Sequence, residues 1–273
     1  MTLRIGWFST GRDEDAIDIL ARVHRAISEG SLDARIEFVF CNRERGEAEV
    51  SDRFLDFAAS LGLPLVWRSS ARFRPDLRKE DRERWRRLYD EEVLPLIAPF
   101  EVDVCVLAGY MLIVSDVLHS RYVALNLHPA TPDGPKGAWE DVIWQLIAGE
   151  EEEAGAMIHV ATSQLDRGPV LGYCSFPIKG GAYAPLWAAL AEKLRDASLD
   201  EIRASESYDE PLFAAIRRDE FRREVPLLIA TLSMVAAGRI ALRDGAVYVD
   251  GSPSTRGLCL NDLVESQLAK GQP

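Results

Sequence analysis

Short runs of apolar residues alternate with longer stretches whose apolar positions recur every three to four residues, and this alternation restricts the chain to one broad class of fold. The strand-like runs fall at 3–9, 34–42, 63–67, 102–108 and 123–128, with helix-like stretches at 15–28, 51–61 and 79–97 between them. Such a β–α–β rhythm predicts an α/β fold built on a doubly wound, mostly parallel sheet of Rossmann type. Sheets of this kind bind ligands at the carboxyl ends of their strands, so the residues that end each run carry the functional question.

The run at 123–128 reads Val-Ala-Leu-Asn-Leu-His and departs from its own pattern. A buried strand continues with Val, Ile or Leu, yet here Asn126 and His128 interrupt it. Strand side chains alternate faces, so these two point the same way, and Pro129 stops the ladder where they emerge. A further strand is predicted at 155–160, followed by the turn Gln164-Leu165-Asp166-Arg167-Gly168-Pro169, which brings Asp166 to the same rim. Taken alone, Asn126 and His128 are polar residues hydrogen-bonded at a sheet edge. With Asp166 they place a carboxamide, an imidazole and a carboxylate at one strand end.

The remaining signals exclude several classes. A chain of 273 residues, 47% hydrophobic and 28% charged, buries a substantial core in one domain plus an appendage. No apolar run is long enough to cross a membrane, and Met1-Thr2-Leu3-Arg4 leads into a strand rather than a signal peptide, so a cytoplasmic protein with no membrane partner is expected. Cys41, Cys105, Cys174 and Cys259 are scattered, without the paired spacing of a zinc site or a disulfide framework. A formal charge of −12 argues against nucleic acid as a partner. The arginine-rich stretch 68–87 does not reverse this, because acids are interleaved and Trp85, Leu88, Val93 and Leu96 recur at helical spacing.

Beyond the first strands, 137–148 reads as a helix, and 155–162 and 169–178 as a strand pair closing the sheet. Residues 183–198 and 211–223 look helical and flank a polar, acidic break at 200–210; an apolar helix at 224–237 ends at Gly238. A hairpin over 240–249 turns at Arg243-Asp244-Gly245, since Asp-Gly suits a type I′ turn. No element is specified beyond Gly251. The expected division is a catalytic domain at 1–179 and a helical insertion, closing helix and hairpin at 180–273.

Asn126-Leu127-His128-Pro129, preceded by Val106-Leu107-Ala108-Gly109-Tyr110-Met111 and followed by Leu165-Asp166-Arg167-Gly168-Pro169, resembles the folate-dependent formyltransferases, and among them most the glycinamide ribonucleotide transformylases. The likeness runs from the first strand to about Ile178 and returns weakly over 226–251. It implies a formyltransferase-like fold and transfer of a formyl group from 10-formyltetrahydrofolate, with no metal, to a small-molecule amine. It places the family's catalytic Asn, His and Asp on Asn126, His128 and Asp166, its pterin pocket on Leu107, Met111, Val114, Ala161, Gln164 and Leu165, and a histidine near the acceptor on His159. Its acceptor loop falls on Thr10, Gly11, Arg12 and Asp13. The chemistry agrees with these assignments: a tetrahedral intermediate needs an oxyanion donor and a route for a proton, which an amide, an imidazole and a carboxylate supply.

The departures from that family concern the acceptor. Its Gly/Asn/Ser phosphate loop is replaced by Ser9-Thr10-Gly11-Arg12-Asp13-Glu14-Asp15, whose three carboxylates repel a phosphate if they face the pocket, or cap the next helix if they do not. Its Leu-Leu-Pro-x-Tyr-x-Gly stretch is replaced by Ala130-Thr131-Pro132-Asp133-Gly134-Pro135-Lys136-Gly137, Leu112 stands at an arginine position, and Met157 at a serine or threonine position. An altered acceptor is therefore expected. The rival readings are a formyltetrahydrofolate deformylase, which uses water in place of the amine, and a non-catalytic folate-sensing protein; self-association as a homodimer is left open.

Overall fold

A computed structural model describes residues 2–162, 164 and 166–270. The first half alternates as the sequence predicts: β1 (Leu3–Ser9), α1 (Glu14–Ser28), β2 (Ala34–Cys41), α2 (Glu49–Ser60), β3 (Leu65–Trp67), α3 (Pro75–Glu80), α4 (Arg82–Ile97), β4 (Val104–Leu107), α5 (Asp116–His119) and β5 (Ala124–His128). There follow α6 (Trp139–Ala148), β6 (Glu153–Val160), β7 (Val170–Pro177), α7 (Ala184–Lys193), α8 (Leu199–Glu206) and α9 (Pro211–Ala236). The chain closes with β8 (Ile240–Arg243), β9 (Ala246–Val249), β10 (Ser252–Ser254), β11 (Leu258–Cys259) and α10 (Asn261–Lys270).

Eight strands form one sheet in the order β11-β7-β6-β5-β4-β1-β2-β3. The stretch from β3 to β5 is parallel, β6 and β7 run antiparallel to their predecessors, and β11 pairs parallel with β7. This is the mostly parallel α/β sheet expected. Alternation along β1 explains how both faces are covered: Leu3, Ile5 and Trp7 pack with Leu20 and Val23 of α1 and with Leu227 and Leu228 of α9, whereas Phe8 packs with Phe38, Phe40 and the α4 residues Trp85, Tyr89 and Val93. The small second sheet, β10-β9-β8, turns at Asp244 and Gly245, both with positive φ as a type I′ turn requires.

Four local readings change. The helix expected over 79–97 is two helices, because the Asp81 side chain caps α4 by accepting from the Arg84 amide. The acidic break at 200–210 contains α8, started by a reciprocal capping box between Ser198 and Glu201, a signal present in the sequence. The two helices expected at 211–223 and 224–237 are the single helix α9, which continues through Pro226. Proline removes a ladder hydrogen bond at a cost of about 3 kcal/mol, and burial of the neighbouring Val225, Leu227 and Leu228 in the main core offsets it. The unspecified tail supplies β10, β11 and α10, with β11 completing the main sheet beside β7.

Candidate active site

β5 ends in the middle of the sheet, and its antiparallel register with β6 sets Asn126 opposite His159 and His128 opposite Met157. The chain then leaves β6 and turns sharply. Gly168 permits that turn, because a Cβ there would lie 1.7 Å from the Val160 carbonyl oxygen. Asp166, two residues earlier, has φ +52, a left-handed conformation that Asp tolerates better than most residues. The result carries Asp166 between two imidazoles.

His128 and His159 are each 2% exposed and Asp166 6%. The His128 Nδ1 lies 3.4 Å from one Asp166 oxygen and the His159 Nε2 3.5 Å from the other. Each ring uses its second nitrogen elsewhere: His128 Nε2–H donates to the Pro135 carbonyl, and His159 Nδ1–H to the Val160 carbonyl, both at 3.0 Å. Carbonyls only accept, so these bonds fix the protonated outer nitrogens and aim the two inner nitrogens at the carboxylate. A proton shared among them satisfies the arrangement. The Asn126 Nδ2 stands 3.3 Å from the His159 Nε2 and donates to it when that nitrogen is bare.

Burial pushes the His128 pKa down, and although the Pro135 carbonyl and the Asp166 charge oppose it, the ring ends below its ordinary value. Burial pushes Asp166 up, but the hydrogen bond to His159, the charges of both rings and the Gly137 backbone amide outweigh it, leaving the carboxyl below its ordinary range. Asp166 is thus held as the anion while His128 parts readily with a proton, a combination suited to passing a proton within the cluster.

Two cavities meet at Asn126. One, of about 460 Å³, is lined by Leu107, Met111, Val114, Asn126, His128, His159, Ala161 and Asp166 among others. It collects most of the residues the sequence singled out. Gln164 is an exposed turn residue whose backbone amide and carbonyl both bond the Thr162 hydroxyl; Leu165 lies outside the described residues. The other cavity, of about 220 Å³, is lined by Arg12, Asp13, Asp15, Met111, Asn126, Trp139, Arg217, Phe221 and Glu224 among others.

The first-strand loop is occupied by internal bonds. Thr10 N donates to Gly109 O and Gly11 N to Ser9 Oγ, while Thr10 Oγ1 accepts from Met111 N. Asp13 caps α1 through the Ala16 amide and pairs with Arg12; Glu14 pairs with Arg53 on α2. Asp15 lines the cavity, and burial, reinforced by Asp13, pushes its carboxyl up against the pull of Arg217. Of the three acids, then, Asp13 caps the helix and Asp15 faces the cavity, while Glu14 is turned to α2.

Sequence reasoning missed the Pro135 carbonyl and Gly137 amide as partners of His128 and Asp166; the Pro132, Gly134, Pro135 and Gly137 spacing was the available signal for a tight loop. It also missed Trp139, Arg217, Phe221 and Glu224, for which no local signal existed. On the far side of the first cavity, Asp90 of α4 is 3% exposed and accepts from Ser115 N at 2.6 Å and Ser115 Oγ at 2.7 Å, pinning the loop that carries Met111 and Val114. Burial raises the Asp90 pKa to about 6, against the Ser115 bonds. A folded-state pKa above the unfolded one means that the native state binds the proton more tightly, so stability from this group is full below pH ~4 and lost as pH rises through about 6, on the order of 3 kcal/mol in all. Asp90→Asn is expected to remove that slope: the urea stability difference between variant and wild type grows in the variant's favour from pH 4.5 to 7, and parallel pH profiles would discount the effect.

A mostly parallel α/β sheet thus brings Asn126, His128 and Asp166 together at the end of a central strand. The chain belongs to the formyl transferase family, whose profile matches residues 14–184. It is 30% identical over 168 residues to phosphoribosylglycinamide formyltransferase of Escherichia coli (strain K12), covering 61% of this chain and 65% of that protein, and 30% identical over 125 residues to the Saccharomyces cerevisiae enzyme of the same name, covering 42% and 58%. The chain thus spans less than two thirds of either relative. Among solved structures, phosphoribosylglycinamide formyltransferase from Coxiella burnetii shares the fold with TM-score 0.62 at 19% identity, over 95% of this chain and 99% of that one. A formyltetrahydrofolate deformylase from Pseudomonas syringae pv. tomato shares it with TM-score 0.59 at 20% identity, over 91% and 66%.

Proposed function

We propose that the protein transfers a formyl group from 10-formyltetrahydrofolate to a primary amine. The observation that carries this reading is the meeting of two cavities at Asn126, with His128 and Asp166 on one side. A transfer between two bound molecules needs two subsites joined at the reacting groups; a hydrolase has no use for the second.

The larger cavity fits a flat, mostly apolar ring with one polar edge: Leu107, Met111, Val114 and Ala161 supply the walls and Asp166 the polar end. In the reaction, the amine nitrogen attacks the formyl carbon and its oxygen becomes an oxyanion. The Asn126 amide donates to that oxygen. Asp166 accepts the proton that the amine sheds, directly or through water, and His128 delivers one to the departing folate nitrogen. His159 orients Asn126 and Asp166 from the neighbouring strand. The proposed partners are accordingly small molecules, with neither nucleic acid nor membrane involved; among the described residues no helix is long and apolar enough to cross a membrane.

Calorimetry with a reduced folate analogue is expected to show saturable binding in the micromolar range, weakened at least tenfold by Val114→Arg, which places a buried charge against the ring. No heat at millimolar ligand would end the folate assignment. In the turnover assay, tetrahydrofolate release from 10-formyltetrahydrofolate should depend on added amine, and release at full rate without one would establish the hydrolase.

A further inference from the structure

The acceptor cavity does not end at its charged wall. Asp15, Trp139, Arg217 and Phe221 also line an outer cavity of about 360 Å³, completed by Tyr208, Phe213 and the α9 surface. Trp139 and Tyr208 stack at 5.4 Å with 27° between their planes, and Tyr208 is 54% exposed. An exposed, stacked tyrosine leaves one ring face to solvent where a ligand would enter. Inside, the Arg217 guanidinium lies 4.6 Å from the Trp139 ring and 4.9 Å from Phe221. The two cavities thus share a border of Asp15, Trp139, Arg217 and Phe221, and the flat groups around it come from α6, from Tyr208 and from the first half of α9.

The pairing of charges across these two cavities selects against phosphate. Arg217 is already held by Glu224 at 2.7 Å and Glu220 at 3.3 Å, and Arg12 by Asp13 at 3.2 Å. Over the inner and outer cavities together, Asp13, Asp15 and Glu224 face Arg12, Arg217 and Arg218, a formal charge of zero, and Arg218 is itself held by Asp219 at 3.5 Å. With Arg12, Arg217 and Arg218 each already paired to a carboxylate, a phosphate finds its cations occupied there. The backbone amides of Thr10 and Gly11, which would otherwise serve an anion, are used within the chain.

Resting on the formyl-transfer reading, we infer that the acceptor is an arylalkylamine: a primary amine on a short chain, free of phosphate, whose planar ring lies on the shelf of Trp139, Tyr208 and Phe221 while its nitrogen reaches Asn126 past Asp15. The ring gains stacking and burial on the shelf, and the ammonium gains Asp15. The ammonium releases one proton to solvent before it attacks; the second, shed once nitrogen has bonded to the formyl carbon, is taken by Asp166 while His128 protonates the departing folate nitrogen, and an N-(arylalkyl)formamide and tetrahydrofolate leave.

The test pairs binding with turnover on the full chain. Phenethylamine, butylamine and glycinamide ribonucleotide are titrated by calorimetry, and each is then supplied with 10-formyltetrahydrofolate while the formylated product is followed by mass spectrometry. Phenethylamine should bind at least tenfold more tightly than butylamine, and Tyr208→Ala or Phe221→Ala should shrink that advantage to within about twofold, raising KM for phenethylamine more than they lower kcat. Tyr208→Phe, which keeps the ring, should restore it. Equal binding of phenethylamine and butylamine, or tighter binding of glycinamide ribonucleotide, overturns the shelf as an acceptor subsite. Amine-dependent turnover of those rivals would still support formyl transfer, whereas ring-dependent binding without any formylated product would uphold the subsite and overturn the transfer reading.

Discussion

His128→Ala and Asp166→Asn are each expected to lower turnover at least a hundredfold while the protein stays folded. On the proposed mechanism, the expectation follows from how few groups act at the reacting centre and how each is held. Asp166 is kept anionic by two imidazoles and the Gly137 amide, so removing its charge deprives the amine of its proton acceptor and leaves both inner ring nitrogens without their counter-charge. His128 is fixed by the Pro135 carbonyl with its other nitrogen turned toward Asp166, so truncation removes the ring that shares a proton with that carboxylate. Groups of this kind typically contribute factors of 10² to 10⁴. Truncating a nearly buried imidazole also costs stability, about 1–3 kcal/mol, so melting should be measured beside single-turnover rates. Turnover at the wild-type rate in either variant would remove that residue from the mechanism. Asn126→Ala should follow the same pattern, with binding of either substrate changed less than turnover.

Gly168→Ala is expected to be nearly as damaging, for a reason of backbone geometry alone. A Cβ at that position would sit 1.7 Å from the Val160 carbonyl oxygen and 2.8 Å from its carbon. Both are backbone atoms of the last residue of β6, which is paired with β5 on one side and β7 on the other, so the turn must move rather than the strand. Asp166 lies on that turn. A displacement of about 1 Å in a catalytic group can cost 10²-fold in rate, and the overpacking itself roughly 1–3 kcal/mol of stability. The variant should therefore retain folate binding in the Leu107–Ala161 part of the cavity but lose turnover. Wild-type kinetics would mean that the turn relaxes without moving the carboxylate.

The interior of the fold was legible because its signals are local. Residues 3–9 match β1 without adjustment, and the predicted 34–42 and 123–128 runs differ from β2 and β5 by a single residue at one end. Continuous apolar composition marks a strand covered on both faces, and that pattern survives any detail of packing. Local rules failed where a long-range term outweighed them. Pro226 reads as a helix boundary, yet α9 runs through it because the residues beside it are buried under the sheet. The acidic stretch after residue 199 reads as a break, yet Ile202 and the Ser198–Glu201 cap make it a helix.

The site divides in the same way. The sequence by itself determined that Asn126 and His128 share a face at a strand end and that Asp166 follows a second strand on a Gly-Pro turn, since side-chain alternation and turn chemistry are properties of adjacent residues. Only the tertiary structure decided what surrounds them. The antiparallel register set His159 opposite Asn126, the 130–137 loop supplied the carbonyl and amide that orient His128 and Asp166, and the packing of α9 brought Arg217 and Phe221 against Trp139. Apart from Pro135, seven residues from His128, those partners lie 29 to 82 residues apart along the chain, and no periodicity or local propensity encodes a meeting that depends on how whole elements settle against the sheet.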